Sequence, residues 1–206
     1  MAQEQTAALT VSIPKINVRQ IDIELLGISP LISHAWSDKA KKQMLDKQMK
    51  KAKAAKEAKD PFRDFCDSLY WLTSKPEKPS EKDIAKAKFG FPCVAFKAAA
   101  VGACRYADGM KMTEARGSFH VDGEMVEIQG PAPVMREDMV RIAMGTADIR
   151  FRGEFREWKV LLRVSYNEAA MSPEQIVNLF NLAGFGVGVG EWRPERDGSY
   201  GRFKVS

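Results

Sequence analysis

The chain has 206 residues, 45% of them hydrophobic, and a formal net charge of +5. That apolar content supports a real core and excludes wholesale disorder, and the length fits one domain, or one domain with a large insertion. The positive surplus is too modest to identify a nucleic-acid binder by itself.

No stretch reads as a membrane span. The chargeless run through Ile176–Gly190 is broken by asparagine and glycine and falls short of the roughly 20 apolar residues a span needs. The N-terminus, MAQEQTAALT, lacks the basic and apolar regions of a signal peptide, which predicts a cytoplasmic protein. Cys66, Cys93 and Cys104 are scattered and form no CxxC pair. They read as small buried hydrophobes, and neither a disulfide framework nor a zinc site is expected.

Residues 1–15 are small and polar and read as a flexible N-terminus. Residues 16–26, INVRQIDIELL, alternate apolar and polar with one slip of phase near Gln20. This predicts a strand with a bulge at the slip. Residues 37–59 hold nine lysines against Asp38, Asp46 and Glu57. Good helix formers and a thin apolar stripe (Ala40, Met44, Leu45, Met49, Ala52) predict one long, solvated helix capped by Ser37 or Asp38. Such a helix is either a solubilising surface or an arm that faces phosphates.

Asp60-Pro61 starts a second helix, whose stripe is Phe62, Phe65, Cys66, Leu69 and Leu72. Residues 73–83 read as a polar loop. Residues 92–107 form a helix with a small-residue face of Phe96, Ala99, Ala100, Ala103 and Cys104. Asp122-Gly123 predicts a hairpin over 117–128. Residues 130–156 carry Arg136, Arg141, Arg150, Arg152 and Arg156. Arginines mixed with Ile149, Phe151 and Phe155 suit a ribbon that grips a polynucleotide, or an ordinary exposed hairpin. Trp158–Tyr166 is the clearest strand. Ser172-Pro173-Glu174-Gln175 is a capping box with proline at the first helical position, opening a helix that Gly184 ends. The run GFGVGVGEWRPERDGSYGRF follows, and Phe203–Val205 closes the chain as a strand.

The glycine run follows a helix and lacks a GK[ST] ending, so it is not a nucleotide-binding loop. Its glycines and arginines read either as a surface loop or as backbone that comes close to an anion. His34 and His120 have no legible catalytic partners, and no acidic cluster points to a two-metal site. No cofactor or metal is expected. With 31–88 and 130–156 set aside as excursions, the elements run close to β-α-β-β-α-β. This predicts an α+β chain, a ferredoxin-like or RRM-like plait with a lysine-rich helical insertion and an arginine-rich hairpin.

Three segments carry a family resemblance. IELLGISPLISHA is similar to the first strand and turn of the RAMP superfamily, specifically the repeating backbone subunits of CRISPR effector complexes. FPCVAFKAAAVGACR resembles their helix start, with Pro92, Phe96 and Lys97 at matching places. The C-terminal glycine run is similar to their closing loop and strand through Gly190, Gly198, Gly201 and Phe203. This sequence departs from the pattern at Cys93-Val94-Ala95, at Ala98 and at Val101, with Arg105 one turn later. Nothing matches the RNA-cleaving aspartate loop of some relatives.

The resemblance implies a single domain over 16–206, with an insertion at about 31–88 and a thumb-like excursion at about 130–156. It implies a non-catalytic subunit that binds single-stranded RNA, stacks on copies of itself and meets other effector subunits, without a membrane. Met135, Met139, Ile142 and Met144 would line the thumb. Alternatives are an orphan or phage-borne relative that binds single-stranded DNA or blocks CRISPR assembly, and a RAMP-type endoribonuclease using His34. The candidate nucleic-acid-binding residues are Lys97, Arg105, Arg193, Arg196 and Arg202, then Lys41, Lys42, Lys50 and Lys53. Arg150 and Arg152 on the ribbon join them, with Trp192 and Tyr200 as stacking candidates.

Overall fold

The computed structural model describes residues 15–52, 58–142 and 145–206. The expectation for the N-terminus, and those for Lys53 and Met144, fall on residues outside this set. In chain order the elements are β1 (Val18–Gly27), β2 (Leu31–Ser33), α1 (Asp38–Gln48), α2 (Pro61–Asp67), β3 (Tyr70–Trp71), α3 (Glu81–Lys86), β4 (Phe89–Pro92) and α4 (Cys93–Ala103). There follow a 3-10 turn (Cys104–Tyr106), α5 (Met112–Ser118), β5 (Phe119–Val121), β6 (Met125–Glu127), β7 (Val134–Ile142), β8 (Thr146–Phe155), β9 (Lys159–Asn167), α6 (Pro173–Gly186), a second 3-10 turn (Pro194–Arg196) and β10 (Phe203–Val205). The fold is α+β.

The main sheet is antiparallel, in the order β10-β1-β9-β5. Strand alternation sends Ile23, Leu25, Val160, Leu162, Val164, Tyr166, Phe119 and Phe203 to one face, where all are buried. Helices α4 and α6 pack on each other and cover that face. The small-residue face of α4 lets them come close: Ala99, Ala100 and Ala103 are buried beside Phe96, whose ring meets Phe203 edge-on at 6.0 Å. The opposite face carries Gln20, Asp22, Glu24, Lys159, Leu161, Arg163, Ser165 and Lys204, and the charges of β1 and β9 pair off across the strands. Arg163 donates to Asp22 at 3.1 Å and Lys159 to Glu24 at 3.1 Å. No phenylalanine, tyrosine or tryptophan of the four strands lies on that face.

Two smaller sheets build the excursions. β3, β4 and β6 form one, and β2, β8 and β7 the other. The arginine-rich ribbon is a long hairpin, in unbroken register from Val134↔Glu154 to Ile142↔Thr146.

Several expectations need correction. The register of β1 on β9 is continuous from Val18↔Asn167 to Leu26↔Lys159, so there is no bulge at Gln20. The phase slip arises because Val18 lies exposed on the open face while Ile21, Ile23 and Leu25 turn to the core. The strands around Asp122-Gly123 do not pair with each other: β5 joins β9 and β6 joins β4. Each strand is three residues long and gains more by burying Phe119 or Val126 against a different sheet. The lysine helix stops at Gln48, where a continuation to 59 was expected. None of its residues is buried, so its thin stripe has nothing to pack on. The second helix ends at Asp67, and Leu72 is exposed. Part of the expected loop at 73–83 starts α3, through a capping box of Ser80 and Asp83. Helix α6 runs on past Gly184 to Gly186.

The three cysteines are free and buried, and burial pushes the Cys66 thiol up to about 11. Among the described residues no helix is long and apolar enough to cross a membrane.

Gly184 has a packing role. A Cβ there would lie 1.9 Å from the Phe203 carbonyl oxygen. Gly184→Ala should therefore lower the free energy of unfolding by about 1–3 kcal/mol in denaturant titration, because α6 or β10 has to shift. Gly117→Ala in α5, where an added methyl meets nothing within 4 Å, should be neutral or stabilising by up to about 1 kcal/mol. Equal effects at the two sites would refute the packing role.

Candidate nucleic-acid interface

The glycine run forms a strap that leaves α6 and closes back on itself. Val189 donates to the Gly201 carbonyl at 2.9 Å, and Tyr200 to the Trp192 carbonyl at 3.0 Å. The strap seats on β2 and the turn before it: Glu191 donates to the Ile32 carbonyl at 3.1 Å, and Gly201 to that of Pro30 at 2.7 Å. Gly190 and Gly201 make this fit possible. Both have positive φ, and a Cβ would lie 2.6 Å from the Ile32 oxygen at the first and 1.7 Å from the Val189 oxygen at the second. Arg105, just past α4, donates to Glu195 of the strap at 2.6 Å, so the strap meets both the GISPLIS turn and the end of the α4 segment.

Beneath the strap lies the base of the hairpin. The Arg152 side chain is 5% exposed. Its Nη1 donates to Asp138 at 3.2 Å, its Nη2 lies 3.7 Å from Glu191, and its Nε has no hydrogen-bond partner among the described residues. Asp138 also accepts from Arg136 at 2.7 Å. The Arg136 guanidinium lies 4.6 Å from the Tyr200 ring centroid and donates to its hydroxyl at 3.1 Å. Burial works against the Arg136 charge, but the bonds to Asp138 and Tyr200 prevail and hold it above its ordinary value. Glu191 meets the Nδ1 of His34 at 3.0 Å. That bond, helped by Arg152 and Arg193 against burial, holds the Glu191 carboxyl below its ordinary value.

Above this network opens a cleft of about 400 Å3, lined by Val140, Arg152, Glu191, Trp192, Arg193 and Arg196. Trp192 is half-exposed and sits in the left-handed region at φ 53°. Arg193 bonds to Glu195 at 2.9 Å, and Arg105 reaches the same carboxylate at 2.6 Å. Burial would raise the Glu195 carboxyl, but these two guanidinium groups draw it below its ordinary value. Arg196 is exposed and has no ion-pair partner among the described residues.

Arg105, Arg193, Arg196, Arg202, Trp192 and Tyr200 thus gather on or beside the strap. Arg152 is there too, but buried and paired, which corrects its reading as a phosphate contact. Tyr200 is taken up by Arg136. Arg202 lies over the Phe185 ring, 5.5 Å from its centroid. Lys97 turns away from the strap to β5, where its Nζ meets His120 at 3.0 Å. Burial and the nearby Arg116 lower its pKa. Lys41 pairs with Asp38 on α1, Lys42 and Lys50 are exposed, and Arg150 lies 3.5 Å from Asp148. Lys53 lies outside the described residues.

Sequence reasoning missed the carboxylates. Glu191 and Glu195 alternate with the strap's arginines, and Arg136 and Asp138, two apart on a strand, share a face. Both signals were present but do not reveal which partner each group takes. Among the described residues no group of three or more His, Cys, Asp or Glu side chains could hold a metal ion.

No protein-family model matches the chain, and no curated protein matches it. Among solved structures it is similar to that described as "Crystal structure of Cmr6 from Pyrococcus furiosus", at 10% identity and a TM-score of 0.47, over 93% of this chain and 100% of that one. A likeness at that level establishes neither family nor function.

The charge on Glu191 has a measurable role. Glu191→Gln should lower the melting temperature at neutral pH. A carboxylate depressed in the fold stabilises fully above its ordinary value of 4.5 and loses that contribution as pH falls through the folded value. The gap between parent and variant should therefore narrow in acid below 4.5; a gap unchanged with pH would rule out the ionic role.

Proposed function

We propose that the chain is a non-catalytic, RAMP-like subunit that binds single-stranded nucleic acid, with guide RNA the foremost candidate, and stacks head to tail along it in a CRISPR-like effector assembly. The order β1-α4-β5-β9-α6-β10, with its sheet order β10-β1-β9-β5, supports reading the scaffold as a ferredoxin-like plait. The three segments that carry the family resemblance meet at the strap, through the backbone bonds of Gly201 and Glu191 to Pro30 and Ile32 and through Arg105 to Glu195.

The observation that carries the reading is the cleft. Arg193 and Arg196 stand beside the half-exposed Trp192, on a strap whose backbone is fixed to β2 and the turn before it and whose Tyr200 and Glu191 side chains meet the hairpin base. Cations for phosphates beside a flat ring for bases are what sequence-tolerant single-strand binding requires. The open face of the sheet offers no such site, because its strands present no large aromatic ring there to stand beside its cations.

The hairpin supplies a second part. Met135, Met139 and Ile149 are exposed along it, with Met139 opposite Ile149. An apolar wedge of this kind can part neighbouring bases. The lysines of α1 would draw a polyanion in from a distance without fixing its register.

His34 takes a structural place in this reading. Its hydrogen-bond partner among the described residues is Glu191, which also answers Arg152. The ring is thereby fastened into the wall under the strap.

Fluorescence anisotropy with short single-stranded RNA and DNA tests the proposal. Affinity for RNA should fall steeply between about 50 and 200 mM salt, as phosphate neutralisation releases counterions. Arg196→Ala should weaken binding to all sequences alike and reduce the salt slope by about one phosphate contact. Absent or salt-insensitive binding would refute the proposal, and a clear preference for DNA in competition would favour the DNA-binding alternative.

A further inference from the structure

We propose that Phe185 and Tyr106 form a platform on which a base of the bound strand stacks. This rests on the nucleic-acid reading above and adds a second position to it, outside the cleft. Phe185 is 70% exposed and Tyr106 is 55% exposed. Phe185 sits in the last turn of α6, between two glycines whose backbones neighbouring groups approach closely. Gly184 lies under the Phe203 carbonyl, and a Cβ on Gly186 would lie 3.0 Å from the Tyr106 ring. A large apolar ring that faces water from closely packed backbone is open to a flat partner and leaves little backbone freedom to lose on binding.

The surrounding charge identifies the partner. Arg202 lies over the Phe185 ring, 5.5 Å from its centroid, and has no ion-pair partner among the described residues. Most of the ring still meets water. Beside Tyr106, Arg105 bonds to Glu195 at 2.6 Å, and Arg193 bonds to the same carboxylate at 2.9 Å. Two guanidinium groups thus share one carboxylate, which leaves a positive surplus. The Arg105–Glu195–Arg193 bridge also joins this patch to the cleft, where Arg193 is part of the wall. Flat rings bordered by unneutralised arginines complement a chain of bases and phosphates, whereas an apolar peptide would leave the arginines buried without partners.

The test compares Phe185→Ala, Phe185→Trp and Arg202→Ala in salt titrations with a single-stranded oligonucleotide. Leu161→Ala, at an exposed apolar residue on the open face of the sheet, is the control. Phe185→Ala should weaken binding about tenfold or more with an unchanged salt slope, since stacking releases no counterions. Phe185→Trp should restore the affinity, Arg202→Ala should reduce the slope, and the control should match the parent. If the parent binds and Phe185→Ala binds equally well, the platform is refuted while the nucleic-acid reading stands. If that variant instead changes the sedimentation of the protein alone and not its affinity, the patch is a protein contact and the platform is refuted. A parent that binds no single strand refutes both.

Discussion

Arg152 carries a full positive charge at a position almost closed to water, and the way that charge is answered decides how three parts of the chain meet. Moving a guanidinium out of water costs several kcal/mol unless carboxylates and hydrogen bonds replace its hydration. Asp138 answers from the neighbouring strand of the hairpin, and Glu191 from the strap. Asp138 is shared with Arg136, which lies over Tyr200 at the far end of the strap. Glu191 is shared with His34, just beyond β2. One buried cation therefore links the hairpin base to the strap and, through Glu191, to the segment that follows β2. A network of this type favours one arrangement of its segments, since any other leaves a charge stranded.

This division of charge separates frame from function. On the open face of the sheet, the cations of β9 and the carboxylates of β1 cancel in pairs. Under the strap they cancel in a buried network. On the strap's outer side cancellation is incomplete: Arg196 and Arg202 have no ion-pair partner among the described residues, and Arg105 and Arg193 share Glu195. The chain's small net charge thus understates what a polyanion meets at this edge. Rigid backbone beneath these groups lowers the entropy lost on binding, which a free glycine-rich loop would not do.

Much of the frame was legible in the sequence because it rests on local physics. The Ser172–Gln175 capping box, the Asp60-Pro61 helix start and the alternation of Trp158–Tyr166 each fix a conformation within a few residues. What stayed illegible depends on distant partners. Asp122-Gly123 turns the chain as expected, with Gly123 at φ 88°, but whether the strands on either side pair is decided by β9 and β4. The lysine helix was overextended because propensity alone does not say where packing support ends. At the site, the arginines were visible and their ranking was not. Arg152 and Arg196 are alike in sequence, yet only the register of the hairpin buries the first. Phe185 reads in the sequence as one more residue of a glycine run, because the packing around Gly184 and Gly186 that accompanies its exposure comes from β10 and Tyr106, far off in the chain.

Hydrogen–deuterium exchange with and without a single-stranded oligonucleotide tests most directly whether the strap and hairpin edge are where a polynucleotide docks. Slowed exchange over residues 184–202 and along β7 and β8, with β1 and β9 unchanged, is the expected result. Protection centred on the open face of the sheet, or no protection anywhere while the oligonucleotide is bound, would contradict it.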